Sequence, residues 1–222
     1  MRHRLPIHRY LDPGETLGEV LGGFIMALTF TLGARLLTAD GQLEARELVV
    51  AILGCNIAWG VIDATLFVLN TLFYRSRHAR FFRSLKNLPS EAEALAAVEE
   101  EFGLEDEPLA VQPEDRDRLY RSFLALSARA TPARVGLRRQ DFVAALIVFA
   151  LVSATALPGV IPLLLLADSN LALNASNWVL ILLLFVVGYW WGRYTDVPSW
   201  RVGLTAMLLG VFMVSVAVAL GG

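Results

Sequence analysis

The sequence predicts an all-α membrane protein with five transmembrane helices and a helical cytoplasmic insert between the second and third. Three observations carry this. Mean hydropathy is +0.56, with 56% of the 222 residues hydrophobic and 18% charged, a balance that soluble domains of this size rarely reach. The runs 142–167, 169–192 and 202–222 hold no charged residue, and each is long enough to cross a hydrocarbon core that needs about 20 helical residues. All but two of the 19 arginines and lysines fall on one side of the resulting topology.

Span one covers 16–37 and includes Glu19 and Arg35; span two covers 47–74 and includes Asp63. None of the runs alternates apolar and polar residues as barrel strands do, which excludes a closed barrel. Span one follows a basic start, yet its apolar stretch is too long for a signal peptide and no A-x-A-like site follows it, so it reads as a helix. Arg2, Arg4 and Arg9 precede it, twelve basic residues lie between spans two and three, and Arg193 and Arg201 flank the turn between four and five. Only Arg35 and Arg46 fall opposite. The positive-inside rule then places the N-terminus in the cytoplasm and the C-terminus outside, as expected of a multi-pass protein of a bacterial inner membrane.

The chain divides into 1–74, with the N-terminus and spans one and two; 75–140, a charged cytoplasmic domain; and 141–222, with spans three to five. Span two should continue through Lys86 until Leu88-Pro89 stops it. Ser90, with Glu93 three residues on, is a capping box that opens a second helix ending near Gly103. Pro113 with Glu114 and Asp115 opens a third, whose apolar face is read as Leu119, Phe123 and Leu126, before Thr131-Pro132 ends it. In span three, Pro158 and Pro162 predict a kink. Tyr189, Trp190, Trp191 and Trp200 form an aromatic belt around Arg193, and Gly203 and Gly210 give span five a close-packing face.

Two stripes inside the spans carry chemistry. In GCNIAWGVIDATLFVLN, Asn56, Asp63 and Asn70 recur every seven residues and share one helix face. An ionised Asp near a bilayer centre costs at least about 2.5–3.5 kcal/mol. Asp63 therefore either hydrogen-bonds to neighbouring helices or lines a path for a cation or proton. In span one, Glu15, Glu19, Gly22, Met26, Thr29 and Gly33 follow alternating intervals of four and three. Such a Met is usually packing, but beside Glu19 and opposite Asp63 its thioether suits a transition metal. Glu19, Met26, Asn56 and Asp63 are the candidate transport pathway.

The insert carries an acidic cluster in which Glu91, Glu93, Glu99, Glu100, Glu101, Glu105, Glu107 and Glu114 are candidate metal ligands, accompanied by Asp106, Asp115 and Asp117. It reads either as a solvated helix surface balanced by arginines or as an oxygen site for divalent metal. No His or Cys accompanies the glutamates, which disfavours zinc; His78 is placed at the headgroup boundary. Cys55 is alone, so no intrachain disulfide forms. Asn174-Ala175-Ser176 fits a glycosylation acceptor but abuts span four. No nucleophile with a matching base and no phosphate-cradling glycine loop occurs, so an enzyme is not expected. With a net charge of −2 and arginines explained by topology, neither is nucleic-acid binding.

The order of features resembles the vacuolar iron transporter family of divalent-cation transporters: five spans, an acidic helical insert after the second, and a two-proline third span. GYWWGRYTDVPSWRVGLTAMLLG is similar to that family's junction between its last two helices in the order of Gly188, Arg193, Pro198, Gly203 and Gly210, and GGFIMALTFTLG is similar to its first helix. The chain has Gly22 before Gly23 where the family carries an acidic residue, and Glu19 is the nearest carboxylate. The resemblance implies a homodimer whose first and second helices line a path near the two-fold axis. It also implies exchange of iron or manganese for protons, with acidic and Met side chains in the path and insert glutamates collecting metal. The expectation is thus a lipid-embedded, dimeric exporter of Fe2+ or Mn2+ as cargo, with no permanently bound cofactor. The alternative is a non-transporting membrane protein whose insert docks a cytosolic partner.

Overall fold

The computed structural model describes residues 10–38, 45–103, 112–130 and 135–219, and every regular element among them is helical. In order these are α1 (Pro13–Thr38), α2 (Ala45–Leu85), α3 (Glu91–Phe102), α4 (Pro113–Arg129), α5 (Arg139–Ala154), α6 (Ala156–Leu165), α7 (Ser169–Gly192) and α8 (Ser199–Ala219). Five stretches are long and apolar enough to cross a membrane: Pro13–Gly33, Arg46–Leu85, Arg139–Leu165, Ser169–Gly192 and Ser199–Val216. The chain forms two compact units, one from residues 1–68 and 138–222, the other from 69–137.

Local chemistry sets the boundaries in the first unit. Asp12 caps α1: its Oδ1 accepts from the Gly14 amide at 2.7 Å, Pro13 occupies the first turn where no amide is needed, and the Glu15 carboxylate reaches back to the Asp12 amide at 3.4 Å. Asp168 caps α7 by accepting from Leu171 at 2.7 Å, and Asp141 accepts from the Arg138 amide at 2.6 Å to start α5. Span three is broken rather than simply bent. α5 ends at Ala154, Thr155 intervenes and α6 begins at Ala156. Pro158 has no N–H to offer the Ala154 carbonyl four residues back, and its ring crowds that carbonyl. The break thus falls one turn before the proline.

α7 is the hub of this unit. With α1 and α8 it buries Phe24, Ala27, Leu28, Leu180, Ile181 and Leu184, and with α2 and α6 it buries Leu48, Ile52, Ala156, Val160, Leu163 and Leu173. Polar side chains fasten the same contacts. Thr31 Oγ donates to Asn177 Oδ1 at 2.6 Å, joining α1 to α7, and Ser176 Oγ donates to the Gly159 carbonyl at 2.6 Å, joining α7 to α6. The Asn174-Ala175-Ser176 triplet therefore lies inside a helix with its hydroxyl committed. The glycines expected to pack span five do so: β-carbons at Gly203 and Gly210 would lie 2.9 Å from the Phe185 carbonyl and 2.8 Å from Leu184 of α7.

The second unit joins residues 69–85 of α2 to α3 and α4. α2 ends at Leu85, just before Leu88-Pro89. Ser90 caps α3 by accepting from the Glu93 amide at 3.2 Å, and Gly103 closes it. A small core forms around Leu85, Ala94, Val98 and Tyr120, with Phe81, Phe82, Phe102 and Phe123 in edge or tilted ring contact. The inward face of α4 differs from expectation. Tyr120, Phe123, Leu124 and Ser127 turn in, while Leu119 and Leu126 are 54% and 69% exposed. The i, i+3, i+4, i+7 rule alone admits both faces, since Phe123 belongs to each; packing against α2 and α3 selects the one that also carries Tyr120 and Leu124. Thr131-Pro132 lies outside the described residues.

Candidate functional site

The polar stripe of α2 runs from core to surface. Asn56 is fully buried, Asp63 is half-buried and Asn70 is exposed. Asn56 Nδ2 donates toward three acceptors: the Gly23 carbonyl on α1 at 3.2 Å, the Val152 carbonyl on α5 at 3.3 Å, and Thr155 Oγ at 3.0 Å. Thr155 in turn donates to the Val152 carbonyl at 2.6 Å. Asn56 thus ties α1 and α2 to the point where Pro158 interrupts span three. The junction is tight, since a β-carbon at Gly23 would collide with Thr155. Asn56 Oδ1 is buried with no partner among the described residues.

One turn on, Gly60 lies against α5, where an added β-carbon would come within 2.7 Å of Ser153 Oγ and 3.0 Å of the Phe149 carbonyl. Asn56, Gly60, Asp63 and Phe67 are spaced four, three and four apart, hence on one face. Phe67 packs with Ala144, Val148 and Val152, so this is the face that meets α5.

On α1, Glu19, Gly22 and Met26 are half-buried, and Glu15, Thr29 and Gly33 are exposed. Nothing lies within 4 Å of a β-carbon built on Gly22 or Gly33, so this side of α1 has no covering element among the described residues. The Glu19 carboxylate is in electrostatic range of Asp63 and of Glu15. No cation pairs with Glu19 or Asp63 among the described residues. Met26 packs against the Ala144, Val148 and Val152 cluster of α5, and the Thr29 hydroxyl donates to the Ile25 carbonyl at 2.7 Å. Glu19, Met26 and Asp63 therefore share the α1, α2 and α5 neighbourhood, with Asn56 as the polar contact at its buried end.

The glutamates of the second unit are arranged differently. Glu101 pairs with Arg77 at 2.8 Å, Glu99 with Arg116 at 3.5 Å and Glu91 with Arg121 at 3.6 Å. Glu93, Glu100 and Glu114 are exposed, and Glu105 and Glu107 lie outside the described residues. No group of three or more His, Cys, Asp or Glu positioned for a metal ion occurs among the described residues, in this unit or in the spans.

Residues 71–222 match the sequence profile of the VIT family. The chain belongs to the VIT family. Its members are membrane metal-ion transporters rather than enzymes, in keeping with a multi-pass protein of five apolar spans. Comparison with curated proteins finds no match. The VIT match covers the helical unit and the last three spans but begins after Glu19, Met26, Asn56 and Asp63. The composition of α1 and α2 pointed to those four residues; it gave no sign of Ser153 and Thr155, single hydroxyls within an otherwise apolar run. The one available signal was Pro158, because a proline frees a carbonyl one turn earlier that polar groups can gather around.

Proposed function

We propose that this VIT-family protein is a homodimeric exporter of divalent iron or manganese from the cytosol, exchanging metal for protons, with its N-terminus and helical unit cytoplasmic and its C-terminus outside. The observation that carries this is the pair of carboxylates Glu19 and Asp63, on adjacent apolar helices, within electrostatic range and without a basic partner among the described residues. Two negative groups held together in a low-dielectric setting repel each other and are each costly to ionise. A visiting divalent cation relieves both costs, and a proton relieves them when the metal has left.

One chain supplies too few ligands for a divalent ion that accepts six or so oxygen donors. A second copy against the open side of α1, at Gly22 and Gly33, would double the set. Met26 adds a soft thioether, which suits a transition metal such as iron better than calcium, while the carboxylates suit manganese. The arginine-paired glutamates of the helical unit serve as a weak collecting surface, since metal must compete there with fixed cations.

Purified protein in proteoliposomes should carry Fe2+ or Mn2+ in a manner that moves protons the other way. Absence of flux for both metals, with and without a pH gradient, would remove the proposal. The exposed Leu119 and Leu126 on α4 favour a second reading, a docking surface for a cytosolic partner on a protein that does not transport. That reading requires Leu119→Ser with Leu126→Ser to abolish function while Asp63→Ala leaves it intact.

A further inference from the structure

We infer that the seam between α2 and α5 holds an ordered water between Asn56 and Ser153, and that this water connects Asp63 to a proton route separate from the open side of α1. Two polar atoms in this seam are buried without a partner among the described residues: Asn56 Oδ1 and Ser153 Oγ. A buried polar group left without a hydrogen bond keeps the full penalty of its desolvation, and two such atoms lie on facing helices. Asn56 cannot turn its amide over to escape, because Nδ2 faces three acceptors, the carbonyls of Gly23 and Val152 and the Thr155 oxygen. Its Oδ1 therefore remains an acceptor in need of a donor. Ser153 can donate and accept, and its hydroxyl makes no hydrogen bond among the described residues, whereas Thr29, Thr65, Ser76 and Ser215 all donate to a carbonyl four residues back. A water donating to Asn56 Oδ1 and bonded to Ser153 Oγ satisfies both, as buried waters do for polar groups that the protein leaves unpaired.

The placement gives that water a role. Ser153 Oγ sits at the notch left by Gly60, a residue about one turn from Asn56 on one side and about one turn from Asp63 on the other. The hydroxyl therefore faces α2 at a level between an amide that fixes a water and a carboxylate that changes protonation as metal comes and goes. Glu19 on α1 feels the Asp63 carboxylate, and the Ser153 seam lies on the α5 side of the same stripe. Metal approaches from the first and a proton from the second. This role rests on the transport reading above; the water site itself does not.

The test uses the full chain in nanodiscs and in proteoliposomes. A structure at a resolution that reveals ordered water should show a peak within hydrogen-bonding distance of both Asn56 Oδ1 and Ser153 Oγ, and Ser153→Ala should lose or displace it without changing the fold. Hydroxyl-radical footprinting of Asn56 and its neighbours should likewise be stronger in the wild type than in Ser153→Ala. A dry seam, with the Ser153 hydroxyl turned onto the Phe149 carbonyl, would overturn the proposal. In proteoliposomes, Ser153→Ala should slow metal-driven proton movement about three- to tenfold while equilibrium Mn2+ binding stays unchanged. Unchanged proton movement, or an equal loss of metal binding, would overturn the relay. A wild-type protein that carries no metal would sink the transport reading, and the density would still decide the water.

Discussion

Carboxylates in the two units of this protein are held on opposite terms. In the helical unit, Glu91, Glu99 and Glu101 each lie against an arginine, at separations from 2.8 to 3.6 Å, the first two with substantial exposure and Glu101 half-buried. In the spans, Glu19 and Asp63 have each other and no basic side chain among the described residues. Water screens the first set, and the arginines neutralise what remains, so its charges contribute little to stability and compete with any incoming cation. The second set has neither remedy. Where negative charge is already answered within the fold a metal gains little, and where it is not, a metal or proton supplies the missing positive charge.

The contrast breaks most visibly at Asp63. Asp63→Ala should lower metal flux at least about tenfold, corresponding to roughly 1.4 kcal/mol or more of lost stabilisation, while the protein still folds because the side chain is only half-buried. Glu19→Gln should give a comparable loss. Flux near wild type in both variants, measured in proteoliposomes at matched reconstitution, would mean that the intramembrane pair is merely structural. Asn56→Leu tests a different quantity. It removes an amide that bridges three helices, and hydrogen bonds within membrane bundles contribute about 0.6 kcal/mol on average and up to about 1.7. A loss of roughly 1–3 kcal/mol in unfolding free energy is expected, read by titration with a denaturing detergent. Gly23→Ala should destabilise by a similar amount, about 1–3 kcal/mol, because its β-carbon displaces Thr155 from the same junction.

The smallest effects belong to the helical unit. Glu99→Gln and Glu91→Gln should change stability by no more than about 0.5 kcal/mol, with Glu101→Gln somewhat larger because its side chain is the least exposed of the three. High salt should shrink all three differences. A Glu99→Gln variant that stops transport outright would overturn the contrast and give the helical unit a metal site of its own.

Much of the fold was legible because bilayer and helix geometry leave few choices. Uncharged runs of about 20 residues can only be spans, and Ser90 with Glu93, Pro113 and Gly103 mark helix ends by rules that depend on neighbouring residues alone. The inward face of α4 was not legible. Leu119 and Phe123 are both apolar and about one turn apart, and only the ring cluster of Phe81, Phe82 and Phe102 determines which is covered. The same holds for the candidate site. Asp63 and Glu19 declared themselves as charges in apolar runs, but Asn56 looked equivalent to Asn70 on the same stripe, and the fold makes one a sealed three-helix junction and the other an exposed side chain.

The sequence by itself determined which segments cross the bilayer, where the helices of the charged unit begin, and which ionisable groups are stranded among apolar neighbours, because each follows from composition and spacing within a single helix. The tertiary structure alone decided that Asn56 joins α1, α2 and α5, that Thr155 belongs with it and Ser153 with Gly60, and that Glu91, Glu99 and Glu101 of the helical unit are answered by arginines. Those outcomes depend on which helices meet and at what height, and residues separated by about a hundred positions in the chain carry no mark of that meeting until the chain has folded.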